Sequence, residues 1–346
     1  MTAELQRFRE IIGKVATGAP LSFEDAREAF AIMMSGDATP AQIGAFLMGL
    51  RVRGETVEEI RAGATVLRER MRRIHAPDGA IDTCGTGGDA AGTYNISTAA
   101  AIVVAAAGVP VAKHGNRGLS SRSGSSDVLQ ALGVDIDCSF ERIEQAIEEA
   151  GIGFMMAPRH HGAMRHVAGP RVELGVRTIF NLLGPLVNPA GVRRQVLGVF
   201  DERWVEPLAR VLGALGAERA WVVHGRDGLD ELSISGPTVV AEWTGNEVRT
   251  FEVVPEDAGL PRGRLEDLRG GDPAHNAEAI RAVLAGVRGP FRDAVLLAAA
   301  AALLVAGRAR DLREGVAMAS EAIDSGRAER VLEKLVRITN ADREKP

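Results

Sequence analysis

The spacing of apolar residues changes once along this chain, near residue 80, and that change bounds the folds open to it. From residue 4 to 73 apolar positions recur at helical spacing. Within that stretch, Ser22-Phe23-Glu24-Asp25, Thr39-Pro40-Ala41-Gln42 and Thr56-Val57-Glu58-Glu59 each place a hydroxyl three residues ahead of an acid or amide. Such spacing lets side chains satisfy the N–H groups that a helix start leaves free, so four helices are predicted. No strand signal precedes Ala80. Beyond it, short β-rich runs at 109–113, 151–156, 196–200, 220–224 and 238–243 alternate with helical stretches, the pattern of a mostly parallel sheet covered by helices. Helical spacing with many charges returns over about 164–184. The predicted class is α/β: a small all-helical domain (1–74, joined by helices from about 164–184) plus a large domain (75–163 and 185–346) with a mostly parallel central sheet flanked by helices.

At 346 residues and 46% hydrophobic content the chain can bury a large core. A net charge of −5 leaves no basic footprint, so neither nucleic acid nor an anionic membrane is expected as a partner, although a local basic pocket is compatible with it. The two cysteines, Cys84 and Cys138, are far apart, as in a reducing, cytoplasmic setting without a disulfide framework. The first ten residues are charged and lack the apolar core of a signal peptide. The longest apolar stretch, Ala294 to Gly307, is too short to span a bilayer and is read as a buried helix.

Chemistry concentrates at four places. The first is Asp82-Thr83-Cys84-Gly85-Thr86-Gly87-Gly88-Asp89, followed by Asn95-Ile96-Ser97-Thr98 and an apolar helix from Ala99. Strand, glycine loop and helix in that order offer backbone N–H groups to an anion. Ser97 and Thr98 stand where an N-cap belongs, and their hydroxyls suit either the cap or a phosphate and its metal. The run lacks the Gly-Lys-Ser/Thr ending of a nucleoside-triphosphate loop and the spacing of a dinucleotide site. Cys84 is read as space-filling. The second is Lys113-His114-Gly115-Asn116-Arg117-Gly118, running into a serine-rich loop that holds Ser120, Ser121 and Ser125. It supplies cations and directional donors at a strand end, where α/β sheets bind ligands; a solvated turn is the plainer alternative for Lys113 and Arg117.

The third is Asp230-Glu231 after a glycine turn, with hard oxygens suited to Mg²⁺ or, more plainly, to a surface loop; Asp227 is read as the Asx residue of that turn. The fourth is Arg171 with the weakly charged, proline-bearing stretch Asn181 to Gly191, read as a rigid wall. His160, His161 and His166 lack the partners of a zinc site.

Together, Gly85-Thr86-Gly87-Gly88-Asp89, Lys113-His114-Gly115-Asn116-Arg117 and Asn181-Leu182-Leu183-Gly184-Pro185-Leu186 with Asn188-Pro189-Ala190 resemble the signatures of the anthranilate phosphoribosyltransferases over nearly the whole chain. The resemblance implies a ligand cleft between a helical and an α/β domain, and a homodimer formed through the helical domain. It also implies transfer of the phosphoribosyl group of 5-phosphoribosyl 1-diphosphate to anthranilate, the second step of tryptophan synthesis from chorismate. Carried over by position, it assigns Gly85, Gly88, Asp89, Thr93, Asn95, Ile96, Ser97, Thr98, Lys113, His114, Gly115, Asn116, Arg117, Gly118, Ser120, Ser121 and Ser125 to the donor. Gly85, His114, Asn116, Arg171 and Pro185 fall to anthranilate, and Ser97, Asp230 and Glu231 to two Mg²⁺ ions. No obligatory acid or base is expected; for His114, orientation of the acceptor is favoured over taking the amine's proton. The chain departs from the family at Gly162, where proline is usual, at Gly169-Pro170, and at Ala298 in place of asparagine; the first two border the implied anthranilate mouth. A nucleic-acid-binding relative and a pyrimidine nucleoside phosphorylase are the competing readings. The first needs a basic groove and the second a lysine-serine site, neither of which the sequence displays.

Overall fold

The structure, a computed structural model, describes residues 3–88, 91–118 and 122–342. Asp89, Ser120 and Ser121 lie outside the described residues. In chain order the elements are α1 (Ala3–Ala16), α2 (Phe23–Ser35), α3 (Pro40–Arg53), α4 (Val57–Arg70), β1 (Ile81–Gly85), α5 (Ile96–Ala106), β2 (Val111–Gly115), α6 (Ser125–Ala131), α7 (Phe140–Ala150) and β3 (Ile152–Met156). They continue with α8 (Ala157–His160), α9 (Arg165–Leu174), α10 (Phe180–Leu183), β4 (Arg194–Gly198), α11 (Val205–Ala214), β5 (Arg219–Gly225), β6 (Thr238–Trp243) and β7 (Val248–Val253). Four helices close the chain: α12 (Pro273–Leu284), α13 (Pro290–Val305), α14 (Leu312–Asp324) and α15 (Arg327–Asn340). They fall into two compact units, Met1–Arg73 with Ala157–Pro189, and Ile74–Met156 with Ala190–Pro346.

In the first unit the sequence-level caps form as geometry. Ser22 accepts from Asp25 N, while Thr39 with Gln42 and Thr56 with Glu59 make reciprocal capping boxes. Three fully buried phenylalanines, Phe8, Phe30 and Phe46, fill the centre, with ring centroids 5.5 Å apart for Phe8–Phe46 and 5.9 Å for Phe30–Phe46. Phe180 of α10 adds an edge-on contact to Phe30 at 5.9 Å, so the returning segment closes the same core.

The second unit is built on one seven-stranded sheet in the order β3-β2-β1-β4-β5-β6-β7. The strands from β3 to β5 are parallel, and β6 and β7 add on antiparallel. The charged edge strand β7 carries no sequence signal that marks it, because Arg249 and Glu252 interrupt its apolar residues and it is only half buried. Helices α5 and α13 are buried almost throughout and rich in alanine, so neighbours approach closely: a Cβ on Gly315 of α14 would sit 2.8 Å from Ala300 Cα. Strand β1 lies between β2, which follows it through α5, and β4, which comes much later in the chain. The sheet therefore changes winding direction between β1 and β4, the place where open α/β sheets leave a crevice beyond the carboxyl ends of their strands.

Candidate active site

Four loops meet beyond those strand ends. After β1 the chain turns through Gly87 and Gly88, both at positive φ (68° and 85°), and Thr86 N donates to Gly198 O of β4 at 2.9 Å. Gly85 pairs in register with Gly198. Both face Asp230: a Cβ at 198 would stand only 1.6 Å from its backbone O, which requires glycine there, and one at 85 would stand 2.7 Å from Oδ2, so the carboxylate would have to shift. The acid loop after β5 is thus pressed onto the tips of β1 and β4. Its Asp230 Oδ2 accepts Gly87 N at 2.7 Å, and its Glu231 Oε1 accepts Ser97 N at 3.1 Å.

That second bond corrects one sequence expectation. Helix α5 begins at Ile96 and its N-cap is Asn95, so Ser97 and Thr98 lie inside the first turn and neither is the cap. Asn95 makes no capping bond because its side chain is spent elsewhere. Its Nδ2 donates to Ser123 O at 3.0 Å, and its Oδ1 accepts from Ser123 Oγ at 3.2 Å and Asn276 Nδ2 at 2.9 Å. The positive end of α5 instead faces Glu231, a carboxylate from a distant loop. Ile96 and Thr98 are buried, so Ile96 can reach a ligand only through its backbone. Half-buried Thr93 bridges to Arg269.

The loop after β2 is held just as tightly. Lys113, 2% exposed, donates from Nζ to Thr83 O, and His114 N donates to the buried Asp82 carboxylate at 3.2 Å. Asn116 folds onto its own turn, its Oδ1 accepting Arg117 N at 2.8 Å, while Ser125 Oγ donates to Asn116 O at 3.3 Å. Gly115 is crowded, since a Cβ there would meet Ser125 Oγ at 2.2 Å. Asp127 closes the loop by accepting Gly118 N at 3.0 Å and Gly124 N at 2.9 Å, and it stands 3.9 Å from the exposed Arg117 guanidinium. The sequence reading passed over Asp127; an acid three residues past the N-cap glycine of α6 is the signal that marks it. Asp227 takes the turn role expected of it, accepting Leu229 N and the hydroxyls of Ser233 and Ser235. Cys84 packs against Gln195 Nε2 at 3.0 Å, and burial pushes its thiol well above the ordinary range, which suits a structural rather than a nucleophilic role.

The remaining expected residues belong to the first unit. Arg171 lies on α9, its guanidinium 5.2 Å from the Phe180 ring centroid, and burial lowers its pKa. Pro185 is buried in the short turn that follows α10. His161 is buried, and desolvation brings its pKa down to about 4, so the ring is neutral at pH 7. Of the departures, Pro170 is accommodated inside α9, and Ala298 is buried within α13.

The arrangement brings together the kinds of group that anions and hard cations bind. Backbone N–H groups and a helix start line the crevice, two carboxylates stand at its rim, and the Ser97 hydroxyl is the next donor along. A carboxylate pair with a hydroxyl fits Mg²⁺ by donor type.

Comparison with known proteins agrees. Residues 77–329 match the family model for the glycosyl transferase family, a/b domain, and residues 9–71 that for its helical bundle domain. The anthranilate phosphoribosyltransferase of Paramagnetospirillum magneticum is 63% identical over 97% of both chains, and that of Rhodospirillum rubrum is 63% identical over 96% of this chain and 95% of its own. Among solved structures, the Thermus thermophilus anthranilate phosphoribosyltransferase is 47% identical with a TM-score of 0.90, covering 95% of this chain and 99% of that one. The Saccharomyces cerevisiae enzyme, solved with PRPP and Mg, is 28% identical with a TM-score of 0.88, over 96% and 98%. With this identity sustained over the length of both relatives, the chain belongs to the anthranilate phosphoribosyltransferases of the glycosyl transferase family.

Proposed function

We infer that the crevice at the ends of β1, β2, β4 and β5 is where the chain carries out its reaction, transfer of the phosphoribosyl group of 5-phosphoribosyl 1-diphosphate to the amine of anthranilate. The products are N-(5-phosphoribosyl)anthranilate and diphosphate, in the tryptophan pathway. The observation that carries the site is the seating of Asp230 and Glu231 on Gly87 N and Ser97 N, which brings two carboxylates to a phosphate-type loop. Two Mg²⁺ ions held by Ser97, Asp230 and Glu231 would neutralise charge on the departing diphosphate.

The chain's own residues do the rest. Gly87 N and Ser97 N are held by Asp230 and Glu231, and a turn of those carboxylates toward Mg²⁺ would free both N–H groups for diphosphate oxygens, while Asn95, Asn116 and Ser125 keep the surrounding loops in place. Lys113 ties β2 to β1 through Thr83 O and adds a buried positive charge behind the loop. The attacking amine is neutral at pH 7, so positioning it beside C1 of the ribose serves in place of a strong base. His114, whose backbone N–H is held by Asp82, orients the acceptor with Gly85 and Asn116 beside it. The family resemblance is the support for Arg171 and Pro185 as acceptor residues. We also assign a cytoplasmic homodimer formed through the helical unit, where Val52 and Val172 expose apolar side chains to 82% and 80%. No helix among the described residues is long and apolar enough to cross a membrane.

The test is loss of anthranilate fluorescence on addition of the donor and Mg²⁺. Wild-type protein is expected to consume the signal only with both present. Asp230→Ala with Glu231→Ala should lower turnover at least about a hundredfold with far-UV circular dichroism unchanged. No consumption by the wild type would overturn the reaction, and full activity in the double variant would overturn the metal assignment.

A further inference from the structure

The helical unit carries an open cleft of about 570 Å³ whose charged residues none of the assignments above uses. Arg70, Arg72, Arg159, Arg165, His160 and His166 line it, and no Asp or Glu is among its lining residues. The groups converge from three places: the end of α4, the α8 turn, and the start of α9. Local geometry holds them there. Gly36, the C-cap of α2 at φ 89°, lets His166 pack against it, since a Cβ at 36 would lie 2.6 Å from His166 Nδ1. Arg165 Nη1 donates to Gly162 O at 3.2 Å, and any side chain at 162 would project toward that guanidinium, its Cβ 3.8 Å away. The glycine that departs from the family's proline lines this cleft. Asp37 nearby accepts from the Ser35 hydroxyl. His160 forms a buried floor, its Nδ1 2.8 Å from Arg72 O; burial first, then the charges of Arg159 and Arg72, lower its pKa.

A cleft lined by charges of one sign concentrates field and draws counter-ions. Guanidinium forks match phosphate oxygens in pairs, and four of them balance a polyanion better than a monoanion. The cleft is open to solvent and Arg70, Arg72 and Arg165 are exposed, so a ligand there would be held by charge and guanidinium hydrogen bonds rather than by enclosure. We propose that this cavity is a second anion site, taking a small molecule that carries a diphosphate group, separate from the donor loops of the α/β unit. Its six ionisable residues take no part in the proposed reaction, so either reading can fail alone.

The test titrates inorganic diphosphate, without Mg²⁺, into wild-type protein and into Arg159→Gln with Arg165→Gln, by calorimetry. Wild-type protein should bind one more diphosphate per chain than the double variant. Affinity at the extra site should drop at least about tenfold in that variant and by less in Arg165→Lys, which keeps the charge but loses the fork, with the fluorescence-assay turnover within about twofold in both. In parallel, the His166 imidazole resonances should shift with diphosphate. Equal stoichiometry in wild type and double variant would overturn the proposal, as would resonances that move with chloride or anthranilate but not with diphosphate.

Discussion

One carboxylate, Asp127, accepts N–H groups from both ends of the 118–124 loop, and replacing it leaves Gly118 N and Gly124 N without that acceptor. Charge-assisted bonds of this kind contribute roughly 1.5 to 3 kcal/mol each. Asp127→Ala is therefore expected to raise the KM for the phosphoribosyl donor at least about tenfold with a smaller change in kcat, measured by steady-state fluorescence. An unchanged KM would show that the loop keeps its shape without Asp127. His161 governs a different property. Burial holds its folded pKa near 4, below the usual value of 6.5, so the unfolded chain binds a proton that the folded chain refuses. Its contribution is complete above pH 6.5 and is lost as pH falls toward 4, with a slope of at most about 1.4 kcal/mol per pH unit. His160, lowered mainly by burial, adds to the slope in the same direction. Urea unfolding at pH 7.5 and 5.5 should show His161→Leu less sensitive to acid than wild type, and parallel pH profiles would sink the assignment. Of these residues, the sequence pointed to the histidines as unsuited to zinc and, at best, as interface or substrate-entrance residues. A ring's burial depends on neighbours distant in the chain, and no spacing rule expresses it.

At the scale of elements, the helix starts were the most legible part of the chain, because a cap is a contact over three residues. What the capping box at Thr56 does not reveal is that its acid also serves the rest of the unit. Glu59 is 0% exposed, accepts Leu21 N at 2.9 Å and Thr56 N at 3.0 Å, and pairs with Arg53. Glu59→Ala leaves Leu21 N and Thr56 N without their acceptor and removes one partner of the part-buried Arg53, so a loss of about 2 to 4 kcal/mol is expected. Thr56→Ala should cost only about 1 kcal/mol. Equilibrium urea unfolding distinguishes the two, and similar midpoints would mean that Glu59 acts only as a cap. Helix α5 shows the opposite case. Its start was misplaced because its N-terminal charge partner, Glu231, is more than a hundred residues away, and Asn95, which has the right chemistry for a cap, is drawn off by Ser123 and Asn276.

For the whole molecule, the assigned dimer predicts that Val52→Asp, placed where 82% of the residue is exposed, converts a species of twice the chain mass to a single chain in light scattering. Turnover in a variant that remains dimeric would refute the contact. The fold class followed from periodicity, since α/β alternation leaves few ways to bury two faces of a sheet. The phosphate loops followed from glycine and hydroxyl spacing. These are properties of consecutive residues, set by backbone sterics and by the reach of short side chains. The sequence by itself thus determined the class of fold, the glycine and hydroxyl loops at the strand ends, and the family. Tertiary structure alone decided that β1 lies next to β4, that Asp230 rests on Gly85 and Gly198, and that four arginines from separate segments surround one cavity. Each of these is a meeting of distant segments, and it is the burial of the surrounding core, rather than any local preference, that brings them together.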